Sequence, residues 1–480
     1  MYNVQMYNTG MNFLNRQNES ARLDALMSRR AAGLVALWGR RRVGKSRLLT
    51  EWCRRWQGLY TVADQSAAAV QRRYFAEAIE PVLPGFSESS YTDWRSLFRR
   101  LSRDARSAGW RGPLVIDELP YWVMSDNALP SILQNWIDEE ARSHGILCIV
   151  AGSSQRMMQG LLLHAAAPLY GRALELMEIQ PISAGWIGEA LGMDSPIRQI
   201  EAFSVWGGIP RYWELAAPYN SDLDEAVDTL VLHPQGALHR EPDRLLQEEF
   251  PSAVALRPLL DVMGGGAHRL SEIAARLAQP VTALSRPLTR LIELGLVVRE
   301  TPYGEAEKST KRSLYKIADP FFRFWFQVVA PRRALLAQAS KEVRLALWRA
   351  QKERLCGMAW EQLCRAYVGR NAHPLKALLG SPDDAWKPAM RWWRGQEPEF
   401  DVVAGCLSGR SLLIGEAKWS SRAFHAVEIN RITESLKLKK VPASLQGECQ
   451  YVAFLPSVTK HAEGGGITIV TADHVLETRE

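Results

Sequence analysis

The chain has 480 residues, too many for one ordinary hydrophobic core, and should divide into about three or four domains. Hydrophobic residues make up 47% of it, which excludes a disordered chain, yet no run approaches the roughly 20 apolar residues of a membrane helix. The formal charge of +7 is a mild basic excess, compatible with a polyanion partner and too common to identify one.

The opening MYNVQMYNTGMNF has neither a basic start nor an apolar stretch, so a cytoplasmic protein is expected, with no membrane partner. The six cysteines are scattered without a C-x-x-C pair, and the nine histidines show no zinc-ligand spacing. Reduced, buried thiols and no zinc site are expected.

The most specific segment comes early. Leu34 to Trp38 read as a strand, Gly39 to Ser46 fit G-x-x-x-x-G-K-[ST], and SRLLTEWCRRW reads as a helix. Such a loop cradles phosphates with its backbone N–H groups, and the helix N-terminus adds partial positive charge. The nucleotide-contacting run is therefore Gly39, Arg40, Arg41, Arg42, Val43, Gly44, Lys45, Ser46 and Arg47. Lys45 is expected to neutralise the outer phosphates of ATP, and the Ser46 hydroxyl to ligate Mg²⁺. The arginines at 40 to 42 read as solvated or as holding neighbouring acidic groups.

Further on, GPLVIDELPYW gives a strand ending in Asp117 and Glu118. Asp117 is expected to hold Mg²⁺ through water, and Glu118 to polarise the water that attacks ATP. ILCIVAGSS gives another strand, ending in Ser153 and Ser154. A polar residue there can sense the γ-phosphate, or simply mark the exit of a strand into a turn.

FLNRQNESARLDAL, GRRRVGKS, LVIDELPYW, AGSS, PLYGR and GGIPRYWEL occur in an order that resembles a family of prokaryotic P-loop ATPases. That family is common in archaea and related to the AAA+ and signal-transduction ATPases. The resemblance implies an ATPase core with a small helical lid. It also implies that Arg172 in PLYGR reaches a γ-phosphate, in its own chain or across a homo-oligomer. Arg211 would act from the lid.

From about residue 251 the pattern changes. RLSEIAARLA reads as an amphipathic helix with Leu270, Ile273, Ala274 and Leu277 on one face. ALSRPLTRLIELGLV reads as a second, with Leu284, Leu288, Leu291 and Ile292 apolar and Gly295 ending it. Two strands around a charged loop complete a winged helix-turn-helix. Ser285, Arg286 and Arg290 would face a DNA major groove, and Lys308, Lys311 and Arg312 of the wing would touch phosphates. A structural hinge is the alternative. The aromatic run DPFFRFWFQVVAPRR reads as a buried clasp.

Near the end, PEFDVV and LLIGEAKWS interrupt apolar strands with Asp401, Glu416 and Lys418. Charges on such strands need a partner or a task. Paired as a hairpin around GCLSGRS, the strands bring the two carboxylates together as a hard-cation site for Mg²⁺ or Mn²⁺. The D, spacer, E-x-K order resembles the PD-(D/E)xK core of restriction-endonuclease-like nucleases. That resemblance implies that Asp401 and Glu416 bind the metal and that Lys418 orients or activates water. It adds Glu361, on the preceding helix, to the metal set. Pro398 stands three residues before Asp401 rather than next to it. A salt-bridged hairpin, Glu416 with Lys418 or Lys439, is the alternative.

The expected architecture is multidomain α/β: a P-loop, AAA+-like ATPase core (1–185), a helical lid (186–250), a winged helix-turn-helix (251–318), a connecting helical segment (319–350) and a restriction-endonuclease-like domain (351–480). The expected function is ATP hydrolysis coupled to nucleic-acid binding, DNA above RNA, and to metal-dependent cleavage. The alternative is an ATP-dependent regulatory switch whose tail only binds.

Overall fold

Near-continuous apolar runs become buried parallel strands when both faces of a sheet are covered. The computed structural model describes residues 13–249, 256–306, 312–370, 375, 378–379, 385–459 and 466–477. The chain divides into two units, Met1–Pro181 and Ile182–Glu480, so the lid segment groups with everything that follows it.

In the first unit the apolar runs form β1 (Gly33–Trp38), β2 (Leu59–Val62), β3 (Leu114–Asp117), β4 (Leu147–Gly152) and β5 (Ala173–Glu178). All pair in parallel, in the order β2-β3-β4-β1-β5. Helices α1 (Gln17–Ser28) and α2 (Lys45–Arg55) cover one face around Leu23, Leu48 and Trp52. Asp24 joins the two helices by accepting the indole N–H of both Trp52 and Trp56 at 2.8 Å. The other face is covered by α3 (Ala68–Ile79), α4 (Trp94–Ser107), α5 (Leu119–Ser125), α6 (Leu129–Trp136) and α7 (Gln155–Leu162). There Phe75, Trp94, Phe98, Trp122 and Trp136 pack ring against ring.

The second unit opens with α8 (Ile187–Leu191), α9 (Pro196–Trp206), α10 (Pro210–Ala216), α11 (Leu223–Val227) and α12 (Glu241–Glu249). Next come α13 (Arg257–Gly264), α14 (Leu270–Arg276) and α15 (Val281–Glu293), followed by an antiparallel hairpin of β6 (Val297–Glu300) and β7 (Leu314–Ile317). Leu284, Leu288 and Leu291 bury one side of α15, and Gly295 ends it at φ 65°, where a side chain would be strained. Lys308 and Lys311 lie outside the described residues. The aromatic run forms α16 (Pro320–Phe324) and a buried turn leading to α17 (Arg333–Leu336). Phe324 meets Trp348 edge-on, and Trp325 donates to the His239 carbonyl at 2.8 Å.

The long helix α18 (Lys341–Gly369) then leads to β8 (Met390–Trp392), β9 (Phe400–Gly405) and β10 (Ser411–Ala417). Helix α19 (Ala426–Leu438) carries the chain to β11 (Glu448–Phe454), followed by β12 (Thr468–Val470) and α20 (Ala472–Leu476). The sheet order is β12-β11-β10-β9-β8: antiparallel across β8, β9 and β10, and parallel across β10, β11 and β12. The parallel step from β10 to β11 needs a crossover, which α19 supplies. Trp360, Leu363, Cys364 and Tyr367 of α18 are buried, and Trp360 donates to the Phe454 carbonyl at 3.1 Å. All six thiols are free. Burial pushes Cys148 and Cys356 up to about 12, which keeps them protonated and inert.

A buried ion pair ties α18 to the helices at the start of this unit. Arg344 donates Nε and Nη2 to Asp228 at 2.6 and 2.8 Å, with neither side chain more than 10% exposed. Removing one partner leaves the other buried and uncompensated, so Asp228→Ala should cost about 3–5 kcal/mol. Urea unfolding of the full chain should register this loss, and the double variant Asp228→Leu/Arg344→Met should recover most of it.

Candidate functional site

Strand order assembles the polar groups of the first unit. β4 lies between β1 and β3, so the carboxyl ends of all three meet. The loop after β1 turns through Gly39 at φ 153°, where an added Cβ would stand 2.5 Å from the Ile179 carbonyl oxygen. Gly44, at φ 96°, starts α2. Lys45 is buried and donates Nζ to the carbonyls of Gly39 and Arg40 at 2.8 and 3.2 Å, which holds the ammonium inside its own loop. Arg40 is buried as well, and Arg41 reaches the Tyr121 hydroxyl at 3.1 Å.

Asp117 ends β3, buried, with its carboxylate accepting from Tyr60 Oη at 2.7 Å and from the Glu118 N–H at 2.9 Å. Glu118 follows in the left-handed region, at φ 55° and ψ 38°. A non-glycine residue pays for that conformation, and strain of this kind gathers at functional sites. Ser153, at the end of β4, fixes the Glu118 carboxylate from two sides. Its hydroxyl donates at 2.6 Å and its N–H at 3.1 Å. Hydroxyl and carboxylate oxygens at Ser46 and Asp117 are hard donors that suit Mg²⁺.

Two positions were illegible as site residues in the sequence. Arg16, just before α1, is buried and donates Nη2 to the Val43 carbonyl at 2.7 Å, bracing the phosphate loop from behind. Burial lowers its pKa, against the opposing charge of Glu19. Its only signal was the NRQNE phrase ahead of the first strand. Tyr60, which holds Asp117, carried no motif at all.

Arg172 stands elsewhere. It enters β5 where Ala173 pairs with Leu34, at the opposite end of β1 from the loop. Four residues of strand, about 13 Å, separate the two ends. Arg172 donates to Asp138 at 2.8 Å. Parallel register thus places it at the edge of the sheet away from the loop. In the second unit, Arg211 pairs with Glu214 at 3.0 Å.

A second cluster lies in the carboxyl-terminal sheet. Gly415 pairs with Val402 across β9 and β10, so the next positions outward on the two strands are Glu416 and Asp401. Asp401 Oδ2 accepts the Ala417 N–H at 3.1 Å. Glu416 takes Lys418 Nζ on one oxygen and Lys439 Nζ on the other, each at 2.6 Å. Burial pushes the Glu416 carboxyl up, but hydrogen bonds and charge from the two lysines outweigh this and hold it below the usual range. Burial also works against the Lys418 ammonium, yet its bond to Glu416 raises it. Asp401 moves the other way. Burial, then the charges of Glu361 and Glu416, raise it, against the Ala417 N–H and Lys418.

Among the described residues, no three His, Cys, Asp or Glu side chains are gathered closely enough to hold a metal ion. The carboxylates feel one another's charge, while the lysines occupy the oxygens of Glu416. The donor chemistry still fits a hard cation. Carboxylate oxygens are of the class that Mg²⁺ or Mn²⁺ takes, although here Lys418 and Lys439 meet Glu416 and Arg365 meets Glu361.

Residues 13–212 match a family described as an ATPase domain predominantly from Archaea. The chain carries a P-loop ATPase domain. A Walker-type ATPase of Pyrococcus abyssi shares the fold, with 20% identity and a TM-score of 0.50, over 66% of this chain and 96% of that one. Residues 325–432 match a family of archaeal and bacterial proteins of unknown function. An uncharacterized protein of Methanocaldococcus jannaschii is 24% identical over 459 residues, 94% of this chain and 97% of its own length. Among the described residues, no helix is long and apolar enough to cross a membrane.

The ATPase domain gives a first set of expected outcomes. Lys45→Ala should abolish ATP turnover. Glu118→Gln should lower it about 10²-fold or more while a fluorescent ATP analogue still binds. Ser153→Ala should lower the maximal rate about tenfold, because the serine holds the Glu118 carboxylate from two sides.

The raised carboxyl of Asp401 gives another. Between its unfolded and folded pKa values the native chain binds more protons than the unfolded one. Stability from this group therefore falls as pH rises through that window and is unfavourable at neutral pH. In EDTA, Asp401→Asn should raise the Tm at neutral pH, and the gain should vanish toward acid pH. Added Mn²⁺ should then stabilise the wild type and not the variant.

Proposed function

We propose that ATP turnover in the amino-terminal unit governs a nucleic-acid-binding and phosphodiester-cleaving second unit. The observation that carries this reading is the β9–β10 register, which sets Asp401 beside Glu416 with Lys418 ion-paired to the latter. The order helix, three antiparallel strands, helix, strand, with Glu361 on the leading helix, supports the resemblance to PD-(D/E)xK nucleases.

In this reading Asp401, Glu416 and Glu361 would hold Mg²⁺ or Mn²⁺. The ion supplies Lewis-acid stabilisation of charge that builds on the phosphoryl oxygens. Lys418 Nζ orients the attacking water, and Lys439 stays near to offset charge on the backbone phosphate. Three helices followed by a β-hairpin support a winged helix over 257–317, with exposed Ser285, Arg286 and Arg290 on α15 toward DNA and Arg312 toward phosphates. In the first unit, Lys45 and the loop N–H groups would bind the ATP phosphates, Ser46 and Asp117 would hold Mg²⁺, and Glu118 would orient water. Arg172 would act on the nucleotide of a second copy.

A second reading has its own observation. Both Glu416 oxygens are closed by lysines, as in a salt-bridged hairpin that only binds. Nuclease assays on single- and double-stranded DNA and RNA, with Mg²⁺ or Mn²⁺ and with or without ATP, separate the two. Cleavage that is lost in Asp401→Ala, with wild-type ATP turnover, carries the first reading. Salt-sensitive binding without cleavage, indifferent to Asp401→Ala, carries the second.

A further inference from the structure

A cavity of about 370 Å³ opens in the second unit between the β6–β7 hairpin, α18 and β8. Its size is that of a small-ligand pocket. Among the described residues that line it are five cations, Arg299, Lys316, Arg323, Arg365 and Arg391, and two carboxylates, Glu300 and Glu361. Lys316, Arg365 and Arg391 are all under 20% exposed and crowd one carboxylate: Glu300 stands 2.7, 3.5 and 3.8 Å from them. Arg323 is buried and donates to neutral acceptors, the carbonyls of Ile317 and Ala318 and the amide oxygen of Gln362. Burial pushes its guanidinium down to about 10.

Buried cations are stable where enough negative charge meets them. Here five cations and two carboxylates line an open space; from outside it the exposed Glu399 reaches Arg391 at 3.6 Å and Asp319 acts on Arg323, which leaves the lining itself with an excess of positive charge. Arginine forks bind phosphate in two-point geometry, which a cavity of this composition invites. The cavity also borders the carboxylate cluster. Arg365 pairs with Glu361 at 3.6 Å and donates to the Asp401 carbonyl at 3.2 Å.

We propose that this cavity binds the phosphate of a nucleoside monophosphate unit, held within a nucleic-acid strand or free. The strand source rests on the nucleic-acid reading above, while the anion site does not. A bound strand would pass its next phosphate toward Asp401.

The test uses the full chain carrying Lys45→Ala, so that the phosphate loop does not contribute, in EDTA. Binding of a short fluorescein-labelled oligodeoxynucleotide is read by anisotropy, and binding of thymidine monophosphate by calorimetry. Arg391→Gln should weaken binding about tenfold, as expected for loss of one charge-assisted contact. Glu300→Gln should tighten it, a change of sign that a merely structural role does not produce. Lys316→Gln replaces Arg391→Gln should the latter fail to fold, judged by its melting curve. Monophosphate binding that follows this pattern supports the site even where the oligonucleotide does not bind, and then only the strand source falls. Absence of binding by both probes, or variants that bind like the parent, overturns the proposal.

Discussion

Gly415 opposite Val402 is the pairing on which the chemistry of the second unit hangs. Side chains alternate along a strand, so a slip of one residue in that register would turn Asp401 away from Glu416. The pairing is held by what lies on either side of it. Val402, Val403, Leu413 and Ile414 are all buried, so both faces of the sheet are packed here and a changed register would have to repack both. An added Cβ at Gly415 would meet a Phe454 ring carbon at 2.8 Å, which shows how closely β11 stacks here. The apolar interior thus fixes the separation of the charged groups at the strand ends. Of these groups Asp401 is the poorly accommodated one, raised by burial and by the charges of Glu361 and Glu416, while Glu416 and Lys418 stabilise each other.

The first unit obeys the same constraint in parallel form. With β4 between the strand that bears the phosphate loop and the strand that ends in Asp117, Ser153 has one place to be, and there it holds Glu118. Pre-orienting a carboxylate with two donors costs entropy once, at folding, rather than at each turnover. The left-handed backbone at Glu118 is the local strain that accompanies it. Register also explains why Arg172 lies away from the loop: a residue that enters a parallel strand is a full strand length from the edge where ligands gather.

Much of this was legible in the sequence. The phosphate loop carries its own geometry, because Gly39 and Gly44 stand where the backbone needs positive φ and Lys45 and Ser46 follow at fixed spacing. Asp401, Glu416 and Lys418 were legible because charges in apolar runs are conspicuous. What escaped was set by tertiary pairing. Nothing local marks Tyr60 as the partner of Asp117, or Arg16 as a brace for Val43, since both act across sequence gaps that periodicity does not reach. The Asp228–Arg344 pair binds the segment after α11 to α18 in the same way, and a buried pair between distant residues leaves no pattern in either stretch.

Glu300 gives the second unit a mechanical consequence. It sits on the β6–β7 hairpin, yet it holds Arg365 of α18 and Arg391 of β8, and Arg365 in turn touches Glu361 and the Asp401 backbone. In a nearly dry network, a partner that moves leaves a charge unpaired, and the remaining charges shift to meet it. A displacement of the hairpin is therefore felt at α18 and at the start of β9 without any longer pathway. The same helix carries the buried Arg344 near its other end. One rigid element thus links the helical opening of the unit, the hairpin and the carboxylate cluster. By linkage, a ligand that distinguishes positions of the hairpin biases Asp401 to the extent that those positions differ in the contacts of Arg365 with the Asp401 backbone.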